Sequence, residues 1–133
     1  MTTTYRIATA AGLLGVSDDT VRRWIDQGLL STTGTSPVEI PGEALAARAV
    51  ALADEPDDPT GVSSSARNRF VGIVTRVRID GVMAQVDLQC GPHRVVSLMS
   101  AEAAEELALV PGALAVASVK ATVVTVETPR ERH

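Results

Sequence analysis

The stretch FVGIVTRVRIDGVMAQVDLQC, residues 70–90, decides the fold of the C-terminal half of this chain. Valine and isoleucine alternate with polar residues on both sides of Asp80-Gly81, and an Asp-Gly pair between two such runs is a strong hairpin signal. The stretch therefore predicts two antiparallel strands, residues 70–79 and 82–90, joined by a tight turn.

The residues that follow extend this hairpin into a small β domain. The remaining predicted elements are, in order, a turn at Gly91-Pro92-His93, a strand over 94–99, a helix over 101–107 capped by Ser100, a turn at Pro111-Gly112 and a strand over 113–126. We expect an OB-like five-stranded β-barrel, a Greek-key fold that often binds ligands through its loops. The fold alone does not identify the ligand.

The N-terminal part has a helical rather than a strand period. Apolar residues recur at helical spacing over residues 7–14, and Gly15 is expected to end that helix. Ser17 is a good N-cap for a second helix over 18–27, which Gly28 closes. Two short helices joined by a tight turn predict a helix-turn-helix unit.

The next segment predicts a wing and a third helix. Leu29-Leu30 and Val38-Glu39-Ile40 flank the polar residues 31–36 and are typical of a small β-hairpin, and a helix is expected from Pro41 through Ala53. This order is that of a winged helix-turn-helix. The predicted fold class is therefore α+β, with a winged helix-turn-helix domain followed by the OB-like barrel.

An acidic segment separates the two periodic regions. Residues 54–63 contain acids, prolines, glycine and serine with almost nothing to bury, which is typical of a flexible linker. We expect a helix-turn-helix domain over 1–53, this linker, a β domain over 64–128 and a tail over 129–133.

Composition narrows the function classes. The net charge of −4 argues against a general nucleic-acid coat, although a local basic patch stays open. Cys90 is the only cysteine, so neither an intrachain disulfide nor a cysteine-held zinc is expected. No nucleophile-base pair, phosphate-binding glycine loop or metal-ligand set is present, so we expect no enzyme, and His93 is assigned no role. The lack of a long apolar run or a signal-peptide profile predicts a cytoplasmic protein.

The sequence AGLLGVSDDTVRRWIDQGLL, residues 11–30, resembles the helix-turn-helix of MerR and excisionase proteins. In that family the second helix enters the major groove of DNA, which makes Thr20, Arg22 and Arg23 the candidate DNA-binding residues. The alternative is that the two arginines only solvate an exposed helix face and pair with nearby aspartates. Family members often carry arginines in the wing, whereas this chain has Pro37-Val38-Glu39 there, so weak DNA binding per domain is expected.

Three separated segments resemble the Mop/TOBE domain of the molbindins: SARN at 65–68, LMSAE at 98–102 and VKAT at 119–122. The resemblance implies a binding site for molybdate, or tungstate, in which the metal enters as the oxyanion with no direct protein ligand. The implied molybdate-binding residues are Ser65, Ala66, Arg67, Asn68, Ser100, Ala103, Lys120 and Ala121. Such a dianion needs N–H and O–H donors and positive charge. The alternative is that Arg67 and Lys120 form surface ion pairs and that Asn68 caps a turn.

Two functions fit these features. The first is a molybdate-responsive transcriptional regulator that binds operator-type DNA through its N-terminal domain. The second is a molybdate storage or homeostasis protein whose helix-turn-helix does not regulate transcription. In either case the resemblance places the oxyanion between subunits, so we expect a homo-oligomer, a dimer or a trimer of dimers.

Overall fold

A computed structural model describes residues 3–53 and 58–130. The contacts between Cα atoms divide the chain into two compact units, residues 1–55 and 56–133. Part of the predicted linker lies with the second unit, because Arg69 Nη2 donates to Asp58 Oδ2 at 3.0 Å and Asp58 also accepts from Thr60. The first four residues of that linker, 54–57, lie outside the described residues, and the finer domain boundaries stay a prediction.

The N-terminal unit contains three helices and two short strands. They are β1 (Thr4–Arg6), α1 (Ile7–Leu14), α2 (Asp18–Asp26), β2 (Glu39–Pro41) and α3 (Gly42–Leu52). Gly15 ends α1 in the left-handed conformation with φ of 69°, and Ser17 Oγ accepts from the Thr20 amide at 3.1 Å to cap α2. Both helices thus form where the sequence predicted them.

The predicted hairpin wing is wrong. Strand β2 pairs with β1, with Tyr5 opposite Ile40, and not with Leu29-Leu30. Leu30 instead lies buried in the core at 3% exposure, because an apolar side chain gains more from burial there than from an exposed two-stranded ribbon. Pro41 therefore ends β2 and caps α3, and the helix starts one residue later than expected.

One apolar cluster holds this unit together. Its buried members are Ala10, Ala11, Val21, Trp24, Leu30, Ile40 and Leu45. Ile40 and Val21 are fully enclosed, so the β1–β2 pair and helix α2 close over the same core. Each such side chain contributes about 1.5–3 kcal/mol by leaving water.

The C-terminal unit is a curled antiparallel sheet with one short helix. Its elements are β3 (Asn68–Asp80), β4 (Met83–Cys90), β5 (His93–Ser100), α4 (Ala101–Glu106), β6 (Leu114–Val119) and a 3-10 turn over Ala121–Val123. The strand order is β5-β4-β3-β6. The turn at Asp80-Gly81 forms as predicted, with Asp80 opposite Met83 and Gly81 at φ of 61°.

The prediction of a five-stranded barrel is wrong for the described residues, which form four strands in this unit. The last strand was expected to reach Val126, but it ends at Val119, and the chain then closes a 3-10 turn in which Val123 N–H donates to Lys120 O at 3.0 Å. Alternation gives residues 120–126 the capacity to form a strand, but in the described chain they pair with neither edge strand of this sheet. Val126 is consequently 83% exposed.

The core of this unit lies on the inner face of the sheet. It consists of Val74, Ala84, Val86, Leu88, Cys90 and, from α4, Ala104. Burial raises the pKa of the Cys90 thiol, which fits the small apolar core residue that the sequence indicated. None of the helices in residues 3–53 and 58–130 is long and apolar enough to cross a membrane.

The outer face carries a buried carboxylate with its own ion pair. Asp87 is 5% exposed; its Oδ2 accepts from Arg94 Nη2 at 2.7 Å and its Oδ1 from Gln85 Nε2 at 3.1 Å. These hydrogen bonds, from Arg94 first and Gln85 second, hold the Asp87 pKa below its ordinary value of 3.8. The ionised form is therefore favoured in the folded state.

We expect this carboxylate to make the C-terminal unit acid-sensitive. Because its pKa is lowered on folding, its contribution to stability is fully present above the unfolded value of 3.8 and is lost as the pH falls through the folded value. The melting temperature at pH 3 should thus lie below that at pH 7, and Asp87→Asn should lower the pH 7 value while reducing this difference. Thermal melts followed by far-ultraviolet circular dichroism test it; an equal pH difference in both proteins would contradict it.

Candidate functional site

Two of the three predicted oxyanion-binding segments meet at one end of the sheet. Asn68 opens β3 and lies opposite Val119, the last residue of β6, and Asn68 Nδ2 donates to Val119 O at 3.3 Å. This cross-strand bond brings Arg67, which precedes Asn68, and Lys120, which follows Val119, to the same end of the sheet. The Asn68 side chain thus ties the two segments together and does not cap a turn.

This end of the unit carries two cations and several donors. Arg67 and Lys120 are exposed, and neither forms an ion pair with a described residue. Ser65 is also exposed, while the half-buried Ala66 donates its amide to Ser64 Oγ at 3.1 Å. The surface ion pairs that were the alternative explanation for Arg67 and Lys120 are therefore not formed within the described chain.

The third predicted segment lies at the opposite end of the sheet. Ser100 ends β5 opposite Met83, which is in turn opposite Asp80, the last residue of β3. Asn68 and Asp80 are the first and last of the 13 residues of β3, a path of roughly 40 Å along an extended strand. Within a single chain, the structure therefore does not bring Ser100 and Ala103 to Arg67 and Lys120.

Some of the backbone amides at the start of α4 already donate hydrogen bonds within the chain. Ser100 Oγ accepts from the Ala103 amide at 3.0 Å, and the Ala101 amide donates to Val82 O at 2.7 Å. These bonds cap the six-residue helix. An anion that used the Ala103 amide would have to replace the Ser100 hydroxyl as its acceptor.

The predicted DNA-binding residues lie on α2, and they differ in whether their side chains already have a polar partner. Thr20 is half-buried, with Oγ1 3.0 Å from Ser17 Oγ, and Arg22 Nη1 lies 3.4 Å from Asp19 Oδ1. Arg23 is exposed and forms no ion pair with a described residue. The alternative explanation, pairing with a nearby aspartate, thus holds for Arg22 and not for Arg23.

Sequence reasoning missed one polar contact in this unit. The Arg48 guanidinium of α3 stacks over the Trp24 ring, 4.6 Å from its centroid. Arg48 is the one charged residue between Ala44 and Leu52 of an apolar helix. A single charged residue in an apolar helix, together with a tryptophan on the preceding helix, is the sequence feature from which this contact could have been predicted.

One cavity in the C-terminal unit has a mostly apolar lining. It measures about 560 Å³ and lies between the inner faces of β4, β5 and β6. Its lining includes Val86, Leu88, Val95, Met99, Leu114 and Val116. The lining also includes the polar residues Thr60, Ser64, Arg69, Ser97 and Ser118. The described residues also contain no cluster of three or more metal-ligating side chains.

Comparison with known proteins identifies the C-terminal domain. Residues 64–126 match the TOBE domain family. MopII from Clostridium pasteurianum is 36% identical, covering 50% of this chain and 100% of that chain, with a TM-score of 0.47. A molybdate binding protein from Sporomusa ovata is 28% identical over 50% of this chain and 100% of its own, with a TM-score of 0.48.

A third solved structure, the cytoplasmic molybdate-binding protein ModG with molybdate bound, is 31% identical over 62% of this chain and 68% of its own, with a TM-score of 0.44. A search of curated proteins found no match. Because the match to the TOBE domain family spans residues 64–126, this part of the chain belongs to that family.

Proposed function

We infer that this protein binds molybdate, or tungstate, through its TOBE domain and uses that binding to regulate transcription. The observation that carries the anion part is the pairing of Asn68 with Val119, which brings their neighbours Arg67 and Lys120 to the same end of the sheet. Its ligand class rests on the sequence likeness to two proteins described as molybdate-binding, at 28% and 31% identity. No catalytic role is assigned to any residue.

The proposed site supplies what a tetrahedral dianion requires. The Arg67 and Lys120 cations offset its charge, Ser65 and Asn68 offer a hydroxyl and an amide, and the backbone amides of Ala66 and Ala121 add short donors. Charge-assisted hydrogen bonds of this kind are about twice as strong as neutral ones. In this proposal Asn68 and Ala66 exchange part of their internal hydrogen bonding for contacts with the anion.

The remaining predicted residues, Ser100 and Ala103, must come from another protomer, since they lie at the far end of the same sheet. Strands β5 and β6 are the edges of that sheet, and an apolar cavity lies between them. Exposed edges and apolar surface of this kind favour self-association. We propose a dimer at least, and a trimer of dimers as the full assembly, to be measured by light scattering with and without molybdate.

For the N-terminal unit we propose a helix-turn-helix domain that binds operator-type DNA in the cytoplasm. Helix α2 would enter the major groove, with Thr20 at a phosphate and Arg22 and Arg23 at base edges or phosphates. If molybdate favours one arrangement of the protomers, it changes the spacing of paired helices and hence the DNA affinity.

Storage of molybdate is the second candidate. The observation that favours it is the pairing of Arg6 with Glu39 at 3.9 Å and of Arg22 with Asp19 at 3.4 Å, which reduces the positive charge available to DNA. Electrophoretic mobility shift with the DNA upstream of its own gene, at fixed salt, separates the two. Retardation that depends on molybdate selects the regulator, whereas none at low salt selects storage.

Removing one cation from the anion site should weaken molybdate binding. We expect Lys120→Ala or Arg67→Ala to cost about 1–3 kcal/mol of binding free energy, the range for a lost charge-assisted hydrogen bond. Isothermal titration calorimetry with molybdate measures it. Arg76→Ala is the matched control, because Arg76 is exposed in the middle of β3, away from both ends of the sheet. Unchanged affinity in both site variants would remove the two cations from the site.

A further inference from the structure

We propose that Arg48 is a DNA-phosphate contact, preorganised by its stack on Trp24, and that it acts together with Arg23 when the N-terminal unit binds DNA. This inference rests on the proposed DNA binding of that unit. It adds a residue of α3 to a surface otherwise assigned to α2.

The charge distribution of the unit points to these two arginines. Residues 3–53 contain Arg6, Arg22, Arg23 and Arg48. Of these, Arg6 pairs with Glu39 and Arg22 with Asp19, whereas Arg23 and Arg48 form no ion pair with any described residue. The positive charge left for a polyanion is therefore concentrated on the latter two.

The stack places the charge of Arg48 against helix α2. Its guanidinium carbon lies 4.6 Å from the centroid of the Trp24 ring, and Trp24 belongs to α2, the helix that also carries Arg23. An aromatic ring attracts a cation without neutralising its charge. The helix that carries Thr20 and Arg23 thus gains a second cation from α3.

The surroundings of Arg48 determine which of its guanidinium nitrogens are available to a phosphate. Nε is enclosed and has no hydrogen-bond partner among the described residues, although the residue as a whole is only half-buried. The two terminal nitrogens, Nη1 and Nη2, are not among the enclosed atoms that lack a hydrogen-bond partner. They are therefore the donors left for a phosphate, and the ring holds their plane, so little side-chain freedom is lost on binding.

A salt titration of DNA affinity distinguishes a phosphate contact from a purely structural residue. With the full chain and a duplex of its own upstream DNA, we expect Arg48→Gln to weaken binding about tenfold at low salt. The slope of log affinity against log salt should fall by about 0.9 for each protomer on the duplex. Arg48→Lys keeps the charge, so its slope should stay near that of the unmodified protein although the planar stack is lost.

Matched measurements keep the result interpretable. Arg6→Gln is the control, because Arg6 is paired with Glu39 in the same unit and should leave the slope unchanged. Trp24 is the only tryptophan, so its fluorescence reports whether each variant keeps the fold around the stack. If Arg48→Gln unfolds the unit, the test rests on the slope of log DNA affinity against log salt for Arg48→Lys. A slope about 0.9 smaller per protomer than that of the unmodified protein would overturn the proposal.

Two failures are separable. If the unmodified protein binds DNA and Arg48→Gln retains its salt slope, Arg48 is structural and this inference alone is overturned. If the unmodified protein fails to bind any duplex at low salt, the regulatory function falls and the Arg48 contact with it.

Discussion

Replacing Gly72 with alanine is expected to destabilise the C-terminal unit by about 3 kcal/mol, the upper part of the range for overpacking a core. Gly72 lies in β3 where the sheet curls, and a Cβ at this position would fall 2.5 Å from Cys90 Sγ and closer still to the Gln89 carbonyl oxygen. The Gln89 oxygen belongs to the backbone of β4, so it yields only if the strand moves. For a unit of this size the cost corresponds to a fall in melting temperature of roughly 10–20 °C.

Gly12→Ala is the matched control for this experiment. Gly12 lies within α1, and a Cβ there would meet no atom within 4 Å. The same substitution should therefore stabilise the N-terminal unit by about 0.5–1 kcal/mol, since alanine is the better helix former. Far-ultraviolet circular dichroism follows the melts. A Gly72→Ala protein that melts with the unmodified one would show that β3 and β4 are not in close contact at this position.

Replacing Ile40 with alanine is expected to cost the N-terminal unit about 2–5 kcal/mol, because the cavity left in an enclosed site adds to the lost burial. Ile40 is fully buried and lies opposite Tyr5 in the β1–β2 pair. A unit of this size has a total stability of roughly 3–8 kcal/mol. The substitution should therefore leave much of the unit unfolded near its former melting temperature and lower that temperature by roughly 15–25 °C.

The aromatic residues make this change easy to assign. Trp24 and Tyr5 are the only tryptophan and tyrosine of the chain, and both lie in the N-terminal unit. Tryptophan fluorescence thus follows that unit alone, while molybdate calorimetry follows the other one, whose affinity should not change. Ile40→Val is the control, with an expected cost of about 1 kcal/mol. An alanine variant as stable as the valine variant would mean that Ile40 does not occupy the core.

Local sequence signals were sufficient for several elements. Gly15 and Ser17 fix the boundary between α1 and α2 through a left-handed residue and a side-chain cap, and Asp80-Gly81 fixes the β3–β4 turn. Each of these signals acts over a few residues, so it operates whatever the rest of the chain does. The segments at 65–68, 98–102 and 119–122 likewise indicated the TOBE family, which the comparison with known proteins confirmed.

What the sequence could not decide was pairing between distant segments. Residues 38–40 have the composition of a strand, but whether their partner is residues 29–30 or 4–6 depends on which arrangement buries Leu30 and Ile40 together. The same holds for residues 120–126, whose alternation indicates a strand although they pair with no strand of the described chain. Strand propensity describes a surface that fits a sheet, and the neighbour that completes it is a property of the whole fold.

For the candidate sites, too, the sequence indicated some features and the tertiary structure decided others. The residue types for an oxyanion site and for DNA contact were readable from short motifs, because charge and hydrogen-bonding capacity belong to single side chains. Only the tertiary structure set their distances: it joined Asn68 to Val119, kept Ser100 at the far end of β3, and placed Arg48 on Trp24. These relations arise from strand register and helix packing, which sum contributions from residues far apart in the chain and are absent from any local stretch of sequence.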